Sequence, residues 1–434
     1  MAYPQETIRR CNTMDKQWPR ALWVLFGVAL VSRLSVLCVT GRLFTPETWE
    51  YETLATNLLM GRGFVYDQLG IPYASFTGPI YPGWCALVYA VTGHNQFILI
   101  LTQVIFSSLI PLVVAAIGHA LFERRSGFYA GLLVALHPGL LIYTTKLHPL
   151  ILDALLFSLI GLGVLKLRQR PSWMHRCWVG VALGLTILSR PTALFLVPLL
   201  ACWLVSGWPH NRRQALRIVM ATLGIALGVV LPWTVRNYLI HHQVFLVQST
   251  SGQTFWKGNN PETVSGNLDA HGRDMFSRIP RELRDRLNSA KNELEQNRLF
   301  WEEARRYVAQ HPGTFVRLLG QKLMAFWWFS PTTGAQYPRW YLVGYQWWYV
   351  SLLGLMIYGA WRGLNHATWE VRHSTWLLML VCITISVGQC LFYVEGRHRW
   401  AIEPLLLVFA GKGLDELLRR YAPGYAPVRR AASC

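Results

Sequence analysis

Charge is scarce in this chain, and acid scarcer still. Only 15% of its 434 residues are charged, with 22 carboxylates against 41 lysines and arginines, while 53% are hydrophobic. So apolar and aromatic a composition excludes an ordinary water-soluble enzyme. The eight cysteines are scattered and form no C-x-x-C pair, which removes a zinc site or a disulfide framework and leaves them as small apolar fillers. Repeats of solenoid period and low-complexity segments are both missing. No cleavable leader is expected, because the first apolar run follows a polar start of 20 residues and ends without a small-residue cleavage pattern. The formal charge of +19 comes without a nucleic-acid recognition motif or a basic-aromatic platform. Cytoplasmic loops that follow the positive-inside rule account for it better.

Long apolar runs and 20 tryptophans are what the chain has instead. A bilayer core needs roughly 20 mostly apolar residues per helix. Runs of about that length lie at 21–40, 97–121, 127–145, 150–167, 214–235, 341–360, 374–393 and 400–418, with shorter or mixed ones at 79–93, 177–189, 191–207 and 313–330. The expected fold is an all-α polytopic membrane protein. "FWWFSP" and "YPRWYLVGYQWWYV" read as aromatic belts at the ends of a span, although the same residues could stack on sugar rings.

Charge sets the expected topology. Arg9, Arg10, Lys16 and Arg20 precede the first run, which puts the N-terminus in the cytoplasm and residues 41–78 outside. Basic clusters at Lys166–Arg176 and 208–217 should lie inside. The apolar stretch between them breaks at Arg190-Pro191, so the break reaches the outer face. Counting back puts His148 and Asp153 near that face and leaves 79–93 open, since charge and simple alternation disagree there. Residues 236–312 carry mixed charge and no span, and read as an external loop domain between the modules 1–235 and 313–434. Within it Pro280 fits a first helical turn, and Leu283, Leu287, Ala290, Leu294 and Ala304 fall near one stripe. The basic tail prefers the cytoplasm, whereas alternation from the external loop would put it outside.

In "FTPETWEYETLATNLLMGRGF", residues 44–64, three glutamates follow directly on an apolar run. Thr45 can cap, Pro46 fits a first helical position and Gly61 fits a left-handed stop, so a juxtamembrane helix is expected over 46–60. On it Glu47 and Glu50 would share a face while Glu52 points elsewhere. As first-turn acids they would complement the helix dipole. As an acid pair beside a lipid-accessible face, they could instead meet a substrate with a polar head and a tail in the bilayer. Arg33, Arg190, Arg236, Arg397 and Arg399 lie within or at the ends of apolar runs, where an ionised group is costly unless paired or functional. Arginine's planar fork suits phosphate oxygens, and snorkelling or an ion pair would serve equally for any one of them.

In their order and their placement beside hydrophobic runs, several motifs together carry a resemblance. They are Glu47, Glu50 and Tyr51 followed by "LATNLLMGRGF", "GPIYPGW" at 78–84, "LHPLILDALL" at 147–156, "GLTILSRPTALF" at 184–195, "RNYLIHHQVFLVQSTSGQTFWKGNNP" at 236–261 and "EGRHRWAIEPLL" at 395–406. From about residue 21 to 415 the chain resembles the membrane-embedded GT-C glycosyltransferases that use polyprenyl-phosphate sugars. Among them it is similar to bacterial relatives of the protein mannosyltransferases and of the lipid A aminoarabinose transferases.

The resemblance implies a GT-C bundle of roughly 11 to 13 spans in a bacterial inner membrane, with an extracytoplasmic active site. It implies inverting transfer of a sugar from a polyprenyl-phosphate donor to a lipid, glycan or protein acceptor. Glu47 stands where the family has an aspartate base, with Glu50 the substitute. Arg397, Arg399 and Arg190 are the candidates for the donor phosphate. Tyr51, His148, Asp153, Arg236, Lys257, Asn259 and Asn260 are candidates for sugar or acceptor contacts. Helix-start and turn chemistry explain Asp153 and the asparagines about as well. No cofactor is required. Glu47, Glu50 and the outer histidines offer donors for a divalent metal, though no ligand spacing compels one. A non-enzymatic carrier or flippase of lipid-linked sugar, or an inactive family member, is the competing reading.

Overall fold

The computed structural model describes residues 5–207, 211–263, 274–329 and 338–421, with side chains from Trp18 onward. The basic tail beyond 421, the belt residues 330–337 and the first part of the 208–217 cluster lie outside the described residues. Backbone that meets no water must close its own hydrogen bonds, and the apolar runs accordingly fold as helices. In chain order these are α1 (Gln5–Val39), α2 (Glu50–Leu59), α3 (Ile80–Thr92), α4 (Gln96–Leu121), α5 (Arg124–Ala135), α6 (Pro138–Tyr143), α7 (Leu150–Gln169), α8 (Trp173–Ser189) and α9 (Leu196–Ser206). They continue with α10 (Arg212–His241), α11 (Ser251–Gly258), α12 (Arg281–Asn288), α13 (Glu293–Gln310), α14 (Pro312–Trp327), α15 (Arg339–Leu364), α16 (Trp369–Cys390), α17 (Gly396–Trp400) and α18 (Glu403–Tyr421). Five of them are long and apolar enough to cross a bilayer: α1 from Trp18, α4, α7, α10 and α16. The result is an all-α polytopic membrane fold.

The core runs through α4, α5, α7, α8, α16 and α18, and α7 lies inside it, with 83% of its apolar window buried. Glycines let these helices touch at their backbones. A Cβ on Gly127 of α5 would lie 2.4 Å from the Ala115 carbonyl oxygen of α4, and one on Gly359 of α15 would lie 1.9 Å from that of Phe409 in α18. Arg33, fully buried on α1, donates to the Ser107 hydroxyl at 2.8 Å and to the carbonyl of Ala135 at 2.5 Å, so its charge is solvated by the bundle itself.

Among the described residues strand appears as one hairpin, β1 (Tyr66–Gln68) with β2 (Ile71–Tyr73), closed by Leu69 and Gly70, both at positive φ. A separate apolar cluster of Trp256, Met275, Leu283, Leu287, Phe300 and Ala304 holds α11, α12 and α13 together. The Tyr73 hydroxyl of the hairpin donates to Gln296 of α13 at 2.7 Å, which seats this cluster on the 66–75 segment.

Three expectations change, and the stretch left open at 79–93 is resolved. The run 127–145 is broken into α5 and α6 at His137-Pro138, because proline cannot continue the preceding turn. Residues 79–93 form one helix, α3, stopped by Gly93 at φ +72°. The stripe from Leu283 to Ala304 is split between α12 and α13, Pro280 precedes the first of them, and Leu294 stays only half-buried. The juxtamembrane helix begins at Glu50 and not at Pro46, because residues 46–48 are drawn out as extended backbone. Glu47 pairs there with Lys146 in a parallel bridge: Glu47 N–H donates to the Thr145 carbonyl at 3.2 Å, and Leu147 N–H donates to that of Glu47 at 2.8 Å. Glu47 and Glu50 therefore do not share a helical face.

Candidate active site

At one end of the bundle several chain breaks face each other. Pro191 stops α8 at Arg190, and Pro149 opens α7 just after His148. Glu395 opens α17 through a reciprocal capping arrangement with His398. Together with the first turn of α2 and one face of α11, these ends enclose a cavity of about 590 Å3. Helix ends present side chains on short, fixed segments, and so polar groups from distant parts of the sequence meet here.

Three cations line the cavity. Arg190 donates from Nε to Asp153 Oδ2 at 3.1 Å, and Asp153 also accepts from the Ser189 hydroxyl at 2.5 Å. The Nη1 of Arg190 is buried without a partner, a donor left unused inside the protein. Arg397 lies 2.7 Å from Glu395 and stacks over Trp49, its charge centre 5.2 Å from the ring. Lys257, on α11, packs its ammonium 4.0 Å from the Phe276 ring centre, and burial pushes it down to about 8.

Two of the cations already face a carboxylate. Glu50, the first residue of α2, is the remaining acid on the cavity wall. Desolvation holds its carboxyl above the usual range, against the charges of Arg397 and Lys257, which favour ionisation. A carboxylate held this way is a stronger base than one in water.

His148 accepts from Leu150 N–H through Nδ1 at 3.1 Å, and His398 accepts from Glu395 N–H through Nδ1 at 3.2 Å. Burial, reinforced by the nearby arginines, holds both rings well below the usual histidine range. Each is therefore a neutral imidazole with its proton on Nε2, a hydrogen-bond donor and not a charge.

Of the residues singled out from the sequence, Glu50, Tyr51, His148, Asp153, Arg190, Lys257 and Arg397 line this one cavity. Five others lie off it. Glu47 spends both carboxylate oxygens on Lys146 Nζ, at 2.8 and 2.7 Å. Arg399 is buried in the bundle, where it donates to the Phe326 carbonyl at 2.9 Å and the Tyr345 hydroxyl at 2.6 Å and pairs with Glu403 at 3.3 Å. Arg236 holds the Ala74 carbonyl at 2.6 Å and lies over Trp233. Asn259 and Asn260 donate to backbone carbonyls at the end of α11, and Asn259 also ties that end to Leu391 at 2.9 Å. Gln253, Thr254, Tyr393 and His398 line the cavity without having been proposed for it. Gln253 and Thr254 lie within the quoted stretch 236–261, and His398 stands between the two arginines of 397–399, so position relative to those motifs was the available signal. Among the described residues no three His, Cys, Asp or Glu side chains converge as a metal site.

Residues 77–235 match the family model described as dolichyl-phosphate-mannose-protein mannosyltransferase. No curated protein matches the sequence significantly. Among solved structures the chain is similar to the archaeal oligosaccharyltransferase AglB from Archaeoglobus fulgidus in complex with an inhibitory peptide and a dolichol-phosphate. Identity is 11% and the TM-score 0.56, over 92% of this chain and 51% of that one. The oligosaccharyltransferase of the same organism in complex with Zn and sulfate gives 13%, 0.58, 91% and 49%. ArnT from Cupriavidus metallidurans bound to undecaprenyl phosphate gives 14%, 0.43, 92% and 79%. The chain thus spans about half the length of the archaeal proteins it matches. At these identities the likeness to the archaeal structures shows the fold alone.

Proposed function

We propose that this chain is a membrane glycosyltransferase of the GT-C type that moves a sugar from a polyprenyl-phosphate donor to an acceptor on the extracytoplasmic face of a bacterial inner membrane, by one inverting displacement. The observation that carries this reading is the cavity itself, where three cations and one desolvated glutamate meet at one end of an apolar bundle. The match of residues 77–235 to a dolichyl-phosphate-mannose family, and the dolichol-phosphate bound to the archaeal protein of the same fold, support a lipid-phosphate donor.

Glu50 accepts the proton of the acceptor hydroxyl or amine as that atom bonds to the anomeric carbon, and the bond from that carbon to the phosphate oxygen breaks. General-base help of this kind is worth roughly a hundred- to ten-thousandfold. The departing lipid phosphate gains one negative charge as Glu50 loses one, so the cavity's charge shifts in place and does not grow. Arg190, Arg397 and Lys257 stabilise that shift, as fixed charges do in a water-poor site. The neutral imidazoles of His148 and His398 donate to sugar hydroxyls without adding charge.

Purified protein in lipid, given a panel of polyprenyl-phosphate sugars and acceptors, should release free polyprenyl phosphate in step with product. Donor binding or movement across a vesicle membrane without any bond cleavage would point instead to a carrier.

A further inference from the structure

Glu47 and Lys146 stand 99 residues apart and form both a backbone bridge and a two-oxygen ion pair. The Lys146 side chain is 9% exposed and that of Glu47 39%, so the pair closes a seam at the protein surface, with the ammonium on its inner side. Just past each partner the chain becomes cavity wall. Three residues beyond Glu47 is Glu50, and between them Trp49 carries Arg397 on its ring. Two residues beyond Lys146 is His148, whose ring meets Trp49 and Tyr51 edge-on at 5.3 and 5.5 Å. The seam therefore fixes the separation between the segment that bears Glu50 and the segment that bears His148.

We propose that Glu47 and Lys146 are a positioning pair that clamps residues 47–51 against 146–148 and so sets Glu50 against the donor, and that Glu47 is not itself the base. The proposal rests on the transferase reading, with Glu50 as base. Reacting atoms must approach within about 3 to 3.5 Å, and a misplacement of roughly 1 Å costs on the order of a hundredfold. A loosened seam should therefore lower kcat far more than it weakens donor binding. It should also let water reach Glu50 and move the acid limb of the kcat profile to lower pH.

The test is charge reversal. Glu47→Gln and Lys146→Met should each lower kcat by at least roughly tenfold with donor KM changed less than about threefold. The double variant Glu47→Lys with Lys146→Glu has no acid at 47 and restores the pair. It should recover kcat to within about threefold of native and keep an acid limb, and Lys146→Arg should stay as active. A reversed protein that binds donor yet is as slow as Glu47→Gln and has lost its acid limb would overturn the proposal and make Glu47 the base. If the reversed chain does not fold, Lys146→Met decides. Native turnover there overturns the clamp, and a tenfold or greater loss with Glu47 intact supports it. Glu50→Gln in the native background separates the two readings, because full turnover in it removes Glu50 as base whatever the reversed pair does.

Discussion

Burial beside Phe276 and Tyr393 pushes the Lys257 ammonium down to about 8, so its charge is present below that pH and fades above it. Donor KM should therefore rise as pH passes upward through about 8. Lys257→Arg, whose charge persists, should remove that rise. On the acid side, Glu50 must be ionised to accept a proton, and desolvation raises its carboxyl. Turnover should fall as pH drops through a limb placed above the usual carboxylate range, read as kcat against pH at saturating donor. These residues differ in how far the sequence revealed them. Arg190 was legible because an arginine before a proline inside an apolar run must sit at a helix end, and Arg397 because its motif precedes the last apolar run. The choice between Glu47 and Glu50 was not legible. Helix-start residues at 45 and 46 favoured a helix, while the partner that draws the chain out instead, Lys146, is remote in sequence.

Close packing at helix ends positions the cavity wall, and single atoms matter there. Gly78 comes just before α3, and a Cβ on it would lie 1.8 Å from the carbonyl oxygen of Leu188, one residue before Ser189 and two before Arg190. Gly78→Ala must push the end of α8 away. It should cost about 1–3 kcal/mol or more of stability and weaken donor binding, measured by thermal unfolding and by donor titration in lipid. Gly83, within α3, has open space around it. Gly83→Ala should be neutral or stabilising by up to about 1 kcal/mol, which makes it the control. The apolar runs were legible element by element, since length and hydropathy are local properties. Their ends were less so. The break at His137-Pro138 was not legible in the run 127–145, because a proline inside an apolar run can either kink a helix, as Pro111 and Pro232 stand within α4 and α10, or end it. Gln253 and Thr254 escaped notice because a polar pair on an eight-residue helix reads as surface until α13 and the 391–393 segment close over it.

Across the whole molecule, the α11–α13 unit meets the membrane bundle through a buried polar contact. Glu293 accepts from Ser75 N–H at 3.4 Å and lies 3.0 Å from His241, whose Nε2 is also 3.0 Å from the Ser75 hydroxyl. Burial raises Glu293 from its ordinary 4.5 to about 7, against the opposing charge of Arg236. Because the folded value lies above the unfolded one, the docked form holds the extra proton between these limits. The contribution of Glu293 to docking is then fully present below pH 4.5 and is lost as pH rises towards 7, by at most about 1.4 kcal/mol per pH unit. Hydrogen exchange in α13 should accelerate over that rise beyond the intrinsic rate, and Glu293→Gln should flatten the dependence. This docking was out of reach of composition and periodicity, since the hairpin and α13 are more than 200 residues apart.

The central claim is that Glu50 does the proton transfer in this cavity. The most direct measurement is single-turnover release of polyprenyl phosphate by native protein, Glu50→Gln and Glu47→Gln, with donor affinity measured on the same samples. With Glu50 as base, Glu50→Gln should lose roughly a hundred- to ten-thousandfold in rate with donor still bound, and Glu47→Gln should show a smaller loss that reversal of the Glu47 and Lys146 charges repairs. Native turnover in Glu50→Gln beside a dead Glu47→Gln would contradict it.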